Sequence, residues 1–518
     1  MKKMLVALLA ICIAFSSISF VVFAEEETGD AAATVETKAV DSLVGAFYLQ
    51  GTSGNALYAG DTTYVSDYNY TITDVLSKAL KGTSRIPFYA FDKDSEVQFE
   101  VYAEDYFISE TNAAKAAGID FFAYKYYSGY TKDSLLINNM NRQLIQHIGK
   151  YSIADFESKL EYCIVLDGDF NAAKSKEVNA IVDDCLVKVG YLTAEDGRPV
   201  VFIEWNDQID TQIKKLNTRL KKVVADGANP KKPSAFKTAL NDDVEAMYVV
   251  ALNAPSLAAA VEKGADSISW TQGAGKNGEA YTNMTATVEA KWASESANVV
   301  PNIVTGYDMT LLASNPIEVI AKKYQTDKET SVRYSRKGAA DDYVAVATPE
   351  ELVAHAKKAV ETTNKPEKFS AVMFYAWDDF MGGAFLAPTK TDKAFQYNTD
   401  YIKALRGYFY GKTDGMPVLK VLDNENNVVV TDAEAKTITT FKKSEVVSKV
   451  DFDGKDLLAP AEPDTGDTNT DTNITDDTEK TDTNEFDPTI FIIIGAAAAV
   501  VIIAVVVVVV IVSKKKKK

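Results

Sequence analysis

Eight short, near-continuously apolar runs, each followed by residues at helical spacing, constrain this chain most. They are Val44–Leu49, Phe121–Tyr126, Leu160–Leu166, Pro199–Glu204, Ala246–Leu252, Ser267–Trp270, Val299–Val304 and Ser370–Trp377. A strand with one wet face alternates apolar and polar residues, whereas a strand covered on both faces does not. Such strands interleaved with helices build a parallel sheet, and eight is the number that closes a β/α barrel. The expected fold is therefore α/β, a (β/α)8 TIM-type barrel over residues 42–410. An open doubly wound sheet would need a glycine-rich phosphate loop after an early strand, and Gln50-Gly51-Thr52-Ser53-Gly54 is a poor version of one.

The intervening segments agree with a barrel. Thr111–Ala117 ends a helix at Gly118, the residue type favoured just past a helix end. Gln212–Ala225 places Ile213, Leu216, Leu220 and Val223 on one face. Thr348-Pro349-Glu350-Glu351 spells N-cap, first-turn proline and capping-box glutamate. Asp392–Tyr408 follows the eighth run as a final helix. Two further features lie outside a minimal barrel: an inserted β-hairpin over Ile86–Val101, and a small β-rich appendage at 411–458.

The ends read as addresses. Residues 1–24 have the lysines, apolar run and small-residue close of a secretory signal peptide, followed by an acidic N-terminal stretch, 25–41. Residues 459–487 form an acidic Thr/Asp-rich stalk, with ten acids and one lysine and almost nothing to bury. Within 488–512, the run Ile490–Val512 is unbroken by any charge. At about 1.5 Å per residue it spans the roughly 30 Å hydrocarbon layer. The lysines of the tail, 513–518, should remain cytoplasmic, which puts the barrel outside. The expected location is the surface of a bacterial cell, single-pass. In an exported protein Cys163 and Cys185 could pair, or they are two buried small hydrophobes.

Composition narrows the partners. A net charge of −18 argues against nucleic acid, whose phosphates need a basic face. Two His and three Cys leave little for a zinc site, and no metal or cofactor is assigned. The chemistry is sought where barrels place it, at the carboxyl ends of the strands. Those ends carry Lys125 and Tyr126, Asp167, Glu204 and Trp205, Trp270 and Gln272, Tyr307 and Asp308, and Trp377, Asp378 and Asp379. Three of the four Trp thus fall at these strand ends, Trp205 and Trp377 directly beside acids. Sugars stack C–H faces on aromatics, and glycosidic hydrolysis takes two carboxyl groups across the scissile bond. Other readings stay open: Trp377 as packing, Glu204 as a partner of Lys125 or Arg198, Asp167 as a turn residue, Asp308 as a helix cap.

Several stretches in order along the chain resemble the glycoside hydrolase family 99 and WbsX-like barrel proteins. They are Phe47-Tyr48-Leu49, Ala116-Ala117-Gly118-Ile119-Asp120-Phe121-Phe122-Ala123-Tyr124, Gly197-Arg198-Pro199-Val200-Val201, Gly306-Tyr307-Asp308, Tyr375-Ala376-Trp377-Asp378-Asp379-Phe380 and Leu386-Ala387-Pro388-Thr389. The resemblance covers roughly 44–408 and implies a glycan-handling barrel, with endo-acting mannan hydrolysis the family's best-known activity. Where the family has Trp-Asn-Glu-Trp on the last strand, this chain has Trp377-Asp378-Asp379-Phe380, and the family's following Glu-Gly is Gly382-Gly383.

The expectation is a surface-anchored glycoside hydrolase acting on extracellular polysaccharide. Glu204, Asp379 and Asp308 are its catalytic candidates. Trp205, Trp270, Gln272, Trp377, Asp378, Tyr126, Lys125, Asp167 and Tyr307 would bind substrate. The alternative is a surface glycan-binding barrel that has lost catalysis.

Overall fold

In the computed structural model the described residues are 38–49, 78–93, 96–99, 104–126, 160–167, 172–228 except 174, 240–321 except 242 and 296, 331–363, 368–391 and 397–414, with short pieces within 141–148 and 416–441. The chain divides into Met1–Ala459 and Pro460–Lys518, and every described residue lies in the first unit. The signal peptide, the acidic N-terminus as far as residue 37, the stalk, the 488–512 span and the basic tail lie outside the described residues, as does Gln50–Gly54. Among the described residues no helix is long and apolar enough to cross a membrane.

All eight apolar runs form strands: β1 Leu43–Tyr48, β2 Phe121–Tyr126, β3 Glu161–Leu166, β4 Val200–Glu204, β5 Tyr248–Leu252, β6 Ser267–Ser269, β7 Asn302–Val304 and β8 Ala371–Tyr375. They make one sheet in the order β6-β5-β4-β3-β2-β1-β8-β7. Every pairing in it is parallel. The remaining gap is spanned by a parallel bridge between Ile268 and Val299, with Ile268 N–H donating to Asn298 O at 3.1 Å and Val300 N–H to Ile268 O at 2.9 Å. The sheet thereby comes round on itself as a barrel.

Alternation along each strand sorts side chains between the lumen and the helical layer. Phe47 on β1 and Phe202 on β4 meet with ring centroids 5.6 Å apart. Their strands are not neighbours in the sheet, so the contact runs across the lumen. Phe47 and Phe202 therefore point inward, with their register partners Ala123, Val165 and Val250. Lys125 pairs with Val165 and is inward by the same count. Gly45 is inward too, and the space a Cβ would take is filled by Phe121 and Met373; the narrow floor of the barrel needs a glycine there.

The helical layer comprises α1 Glu104–Ala116, α2 Ser175–Ile181, α3 Ile209–Ala228, α4 Leu257–Glu262, α5 Tyr281–Ser294, α6 Pro349–Thr362 and α7 Asp400–Tyr410. After α1, Gly118 sits at φ +83° with Phe409 of α7 2.5 Å from a would-be Cβ. Ile213, Leu216 and Leu220 of α3 are buried. α6 begins with the full capping box, Thr348 and Glu351 exchanging side-chain-to-backbone bonds.

The last helix starts later than its apolar pattern suggests. Thr389–Lys390 first pairs antiparallel with Tyr397–Asn398, and the Asn398 carboxamide oxygen accepts from Asp400 N–H at 3.0 Å. Hairpin strands Ala90–Lys93 and Glu96–Phe99 stand before β2. A three-stranded antiparallel sheet, Leu419–Leu422, Val428–Thr431 and Thr437–Phe441, follows α7. A second hairpin, Ile317–Ala321 with Ser331–Arg336, follows β7 and is absent from the sequence reading. Cys163 and Cys185 are buried free thiols, and burial raises both well above the usual thiol range.

Candidate functional site

Strand parity decides which residues at the carboxyl ends face the lumen. Glu204 lies two positions beyond Phe202 on β4 and so points inward. Leu166 pairs with Ile203, so Asp167, the next residue, stands beside Glu204 in the same row. Lys125 approaches from β2, its Nζ 3.8 Å from Asp167 Oδ2. Asn253, directly after β5, adopts a left-handed φ of 59°, a conformation that asparagine tolerates well. Its Nδ2 donates to Glu204 Oε1 at 2.8 Å and to Thr271 Oγ1 at 2.9 Å, while its Oδ1 accepts from Thr271 N–H at 3.2 Å. Asn253 thus ties the end of β4 to the loop after β6. Glu204 Oε2 has no hydrogen-bond partner among the described residues.

Burial raises the Glu204 carboxyl above the usual carboxylate range; the Asn253 bond and Lys125 pull it down, and Asp167 pushes it up. Burial is the largest of these and sets the direction. A carboxyl that keeps its proton longer than usual, with one oxygen held and the other open, suits proton donation. Arg198 pairs with Asp196 at 2.9 Å and Asp266 at 2.8 Å and is not the partner of Glu204.

A second group of charges is built around Asp379. The Arg336 guanidinium, carried in by the second hairpin, meets it with both arms, Nη1 to Oδ1 and Nη2 to Oδ2 at 2.6 Å each. Gly382 N–H donates to Asp379 Oδ1 at 2.8 Å, and Arg336 Nη2 also donates to Gln272 Oε1 at 3.0 Å. The Asp379 side chain has 0% exposure and Arg336 12%. To act as base or nucleophile, Asp379 would first have to leave Arg336. A Cβ on Gly382 would collide with Arg336, Asp379 and Gln272, so the loop closes this tightly only with glycine.

Gly382 also links Asp379 to Asp308, whose N–H donates to Gly382 O at 2.7 Å. Asp308 Oδ2 is ion-paired with Arg85, and its Oδ1 accepts from Thr310 N–H at 2.9 Å and Thr310 Oγ1 at 2.5 Å. It closes a turn just before the single helical turn Leu311–Ser314 and keeps 28% side-chain exposure. Tyr307 donates its hydroxyl to Asp342 Oδ1 at 2.9 Å, and burial with that carboxylate raises it.

The sequence-chosen residues thus fall into two groups. Glu204, Asp167 and Lys125 gather on one side; Asp379, Asp308 and Gln272 gather on the other. The groups meet at consecutive Thr271 and Gln272. Trp205 is half-buried next to Glu204 in the chain, whereas Trp270, expected to stack on substrate, is 8% exposed and belongs to the buried core.

Two further expected stacking surfaces, Tyr126 and Trp377, are core as well. Tyr126 pairs with Leu166, opposite in parity to Lys125, and is fully buried under the helices. Trp377 is fully buried against Phe122, centroids 5.4 Å apart. Its Nε1–H donates at 2.9 Å to Glu110 of α1, which also accepts from Tyr48 at 2.9 Å. Neither ring offers a face to a sugar. Asp378 is 5% exposed, and its Oδ1 accepts from Leu49 N–H at 2.6 Å. His147 accepts from Tyr124 OH at Nδ1 and donates from Nε2 to Leu160 O. Burial takes it down to about 4, so it is a neutral core group.

Four residues of the mouth were missed: Asn253, Thr310, Arg85 and Arg336. Asn253 was within reach of the strand-end rule, since it directly follows β5. Arg85 and Arg336 lie far along the chain from their partners and carry no local signal.

No protein-family model matches the chain, and no curated protein matches it. Among solved structures it is similar to a glycoside hydrolase-like protein at 12% identity and TM-score 0.41, covering 71% of this chain and 94% of that one. It is also similar to the GH99 endo-alpha-mannosidase of Bacteroides thetaiotaomicron in complex with BIS-TRIS-propane, at 12% identity and TM-score 0.40, with 71% and 96% covered. A further structure of that mannosidase aligns at 13% identity and TM-score 0.36, again with 71% and 96% covered.

Proposed function

We propose that this chain is a glycoside hydrolase-like protein acting on extracellular polysaccharide, with Glu204 the proton donor to the leaving glycosidic oxygen. The observation that carries the reading is the placing of Glu204: lumenal, at a strand's carboxyl end, its carboxyl raised above the usual range by burial, one oxygen held by Asn253 and the other open. Asp308 retains exposed carboxylate for a sugar hydroxyl, Trp205 directly follows the acid in the chain, and Asp379 orients Arg336 and through it Gln272. The apolar patterns of residues 1–24 and 488–512 support secretion and a C-terminal membrane anchor, and with them a barrel at the cell surface.

The test is a panel of polysaccharides incubated with purified protein, followed by release of reducing ends. Hydrolysis of at least one is expected, and Glu204→Gln should slow it by about 10²–10⁴-fold, the usual worth of a positioned general acid. Product release at an unchanged rate in that variant would remove Glu204 from the chemistry. A second reading, a glycan-binding barrel without turnover, is favoured by one observation: Asp379 and Asp308 are both already held by arginines. Binding by affinity electrophoresis with no product from any polysaccharide would select it.

A further inference from the structure

We infer that Asn302 is a positioning residue for Glu204: across the seam between β6 and β7 it fixes Thr271, and Thr271 fixes Asn253 with its amide toward the acid. The catalytic meaning of that placement rests on the hydrolase reading above.

The seam is where the barrel needs such a device. The other neighbouring strands are joined by ladders of registered pairs. Among the described residues, the β6–β7 seam is joined through the bridge of Ile268 with Val299. Thr271 lies three residues beyond that bridge. Asn302, the first residue of β7, reaches across to it, its Nδ2 donating to Thr271 O at 2.6 Å. Asn302 Oδ1 accepts from Trp292 Nε1–H of α5 at 3.0 Å. The Trp292 ring is itself stacked on His355 of α6, with centroids 5.1 Å apart and planes 17° apart. An indole nitrogen only donates and a carbonyl only accepts, so the fully buried Asn302 carboxamide has one orientation.

The same logic runs on to the acid. Thr271 N–H only donates, so Asn253 turns its Oδ1 to it at 3.2 Å. Asn253 Nδ2 is then left for Thr271 Oγ1 at 2.9 Å and Glu204 Oε1 at 2.8 Å. Turned the other way, Asn253 would set a carbonyl oxygen against the Glu204 carboxylate. Thr271 thus decides which end of Asn253 the acid meets, and Asn302 decides where Thr271 stands. The charges that act on Glu204 are Lys125 of β2 and Asp167 after β3, and neither belongs to this series of bonds.

The experiment uses the full-length protein, carbon-13 labelled in its glutamate carboxyls, with the Glu204 signal identified by its loss in Glu204→Gln. Asn302→Leu keeps the buried volume and removes both bonds. The Glu204 titration should move up, in the direction of Asn253→Ala, because the Asn253 donor is no longer held on the ionised carboxylate. In an Asn253→Ala background the same substitution should move it no further. Trp292→Phe keeps a ring on His355 and removes only the donor to Asn302, so it repeats the test should Asn302→Leu fail to fold. A smaller upward shift is expected there, again absent without Asn253. A merely structural role would lower the melting temperature in both backgrounds and leave the Glu204 titration in place. That result, or an equal shift with and without Asn253, would overturn the assignment. On a polysaccharide that the panel shows to be cleaved, Asn302→Leu should lower kcat about 10- to 100-fold with KM little changed, and an unchanged kcat would also overturn it. Titration shifts as expected with no hydrolysis by the wild type would remove the hydrolase reading and leave the placement of Glu204 by Asn302 standing.

Discussion

An ordinary glutamate is ionised well below neutral pH, and Glu204 departs from that because burial outweighs the Asn253 bond and Lys125. Each neighbour acts on it with a definite sign. Asn253→Ala removes a donor to the ionised form, so the Glu204 carboxyl should rise further and the basic limb of the pH–rate profile should move up. Asp167→Asn removes a neighbouring negative charge and should move a carbon-13 titration of Glu204 down. Stability carries the same sign. Because the folded value lies above the unfolded one, wild type loses stability as pH climbs from the ordinary carboxylate value through the raised one. Glu204→Gln does not titrate, so it should melt higher than wild type at pH 7, the gap closing near pH 4 (about the unfolded value). Equal melting temperatures across that range would mean that burial does not strain the carboxyl. Glu204 was legible because a strand end in a barrel is a place with a chemistry. Trp377 and Tyr126 were not, because their sides of the wall follow from Phe47 meeting Phe202 across the lumen, which local pattern does not contain.

Single elements are secured by devices of very different kinds. The α6 capping box is local: Thr348→Ala should cost about 1 kcal/mol in denaturant unfolding, as N-cap losses do, and the four residues that form it are adjacent in the chain. Gly118 is half local. Its left-handed φ favours glycine, but the Phe409 ring 2.5 Å from its missing Cβ comes from α7. Gly118→Ala should therefore destabilise by about 2 kcal/mol or more, beyond the 1–2 kcal/mol of the backbone alone. The second hairpin is secured at long range, through Arg336 on Asp379. Arg336→Ala strands a buried charge and should cost about 3–5 kcal/mol, while the pair replaced together should cost less than the two single losses combined. Additive losses in that double-mutant cycle would show the two groups to be independent. The eight strands were readable because burial on both faces removes alternation from the sequence itself. The hairpin's role was not, because its meaning is a contact 43 residues away.

At the scale of the whole molecule, the barrel supplies a rigid ring, and an address is proposed for the ends. The stalk's ten acids and one lysine concentrate charge outside the barrel, so −18 describes the tether as much as the site. Removing 488–518 should shift the protein from the membrane pellet to the soluble fraction, and retention in the pellet would contradict the anchor. The central claim is that a protonated Glu204 gives its proton to a departing sugar oxygen. Its most direct measurement compares Glu204→Gln with wild type on two substrates of one sugar, the unactivated polysaccharide and an aryl glycoside whose phenolate leaves without a proton. The account predicts that the variant loses the polysaccharide reaction by about 10²–10⁴-fold and keeps most of the bond cleavage on the aryl glycoside, seen as release of phenolate. Equal loss on both would contradict it.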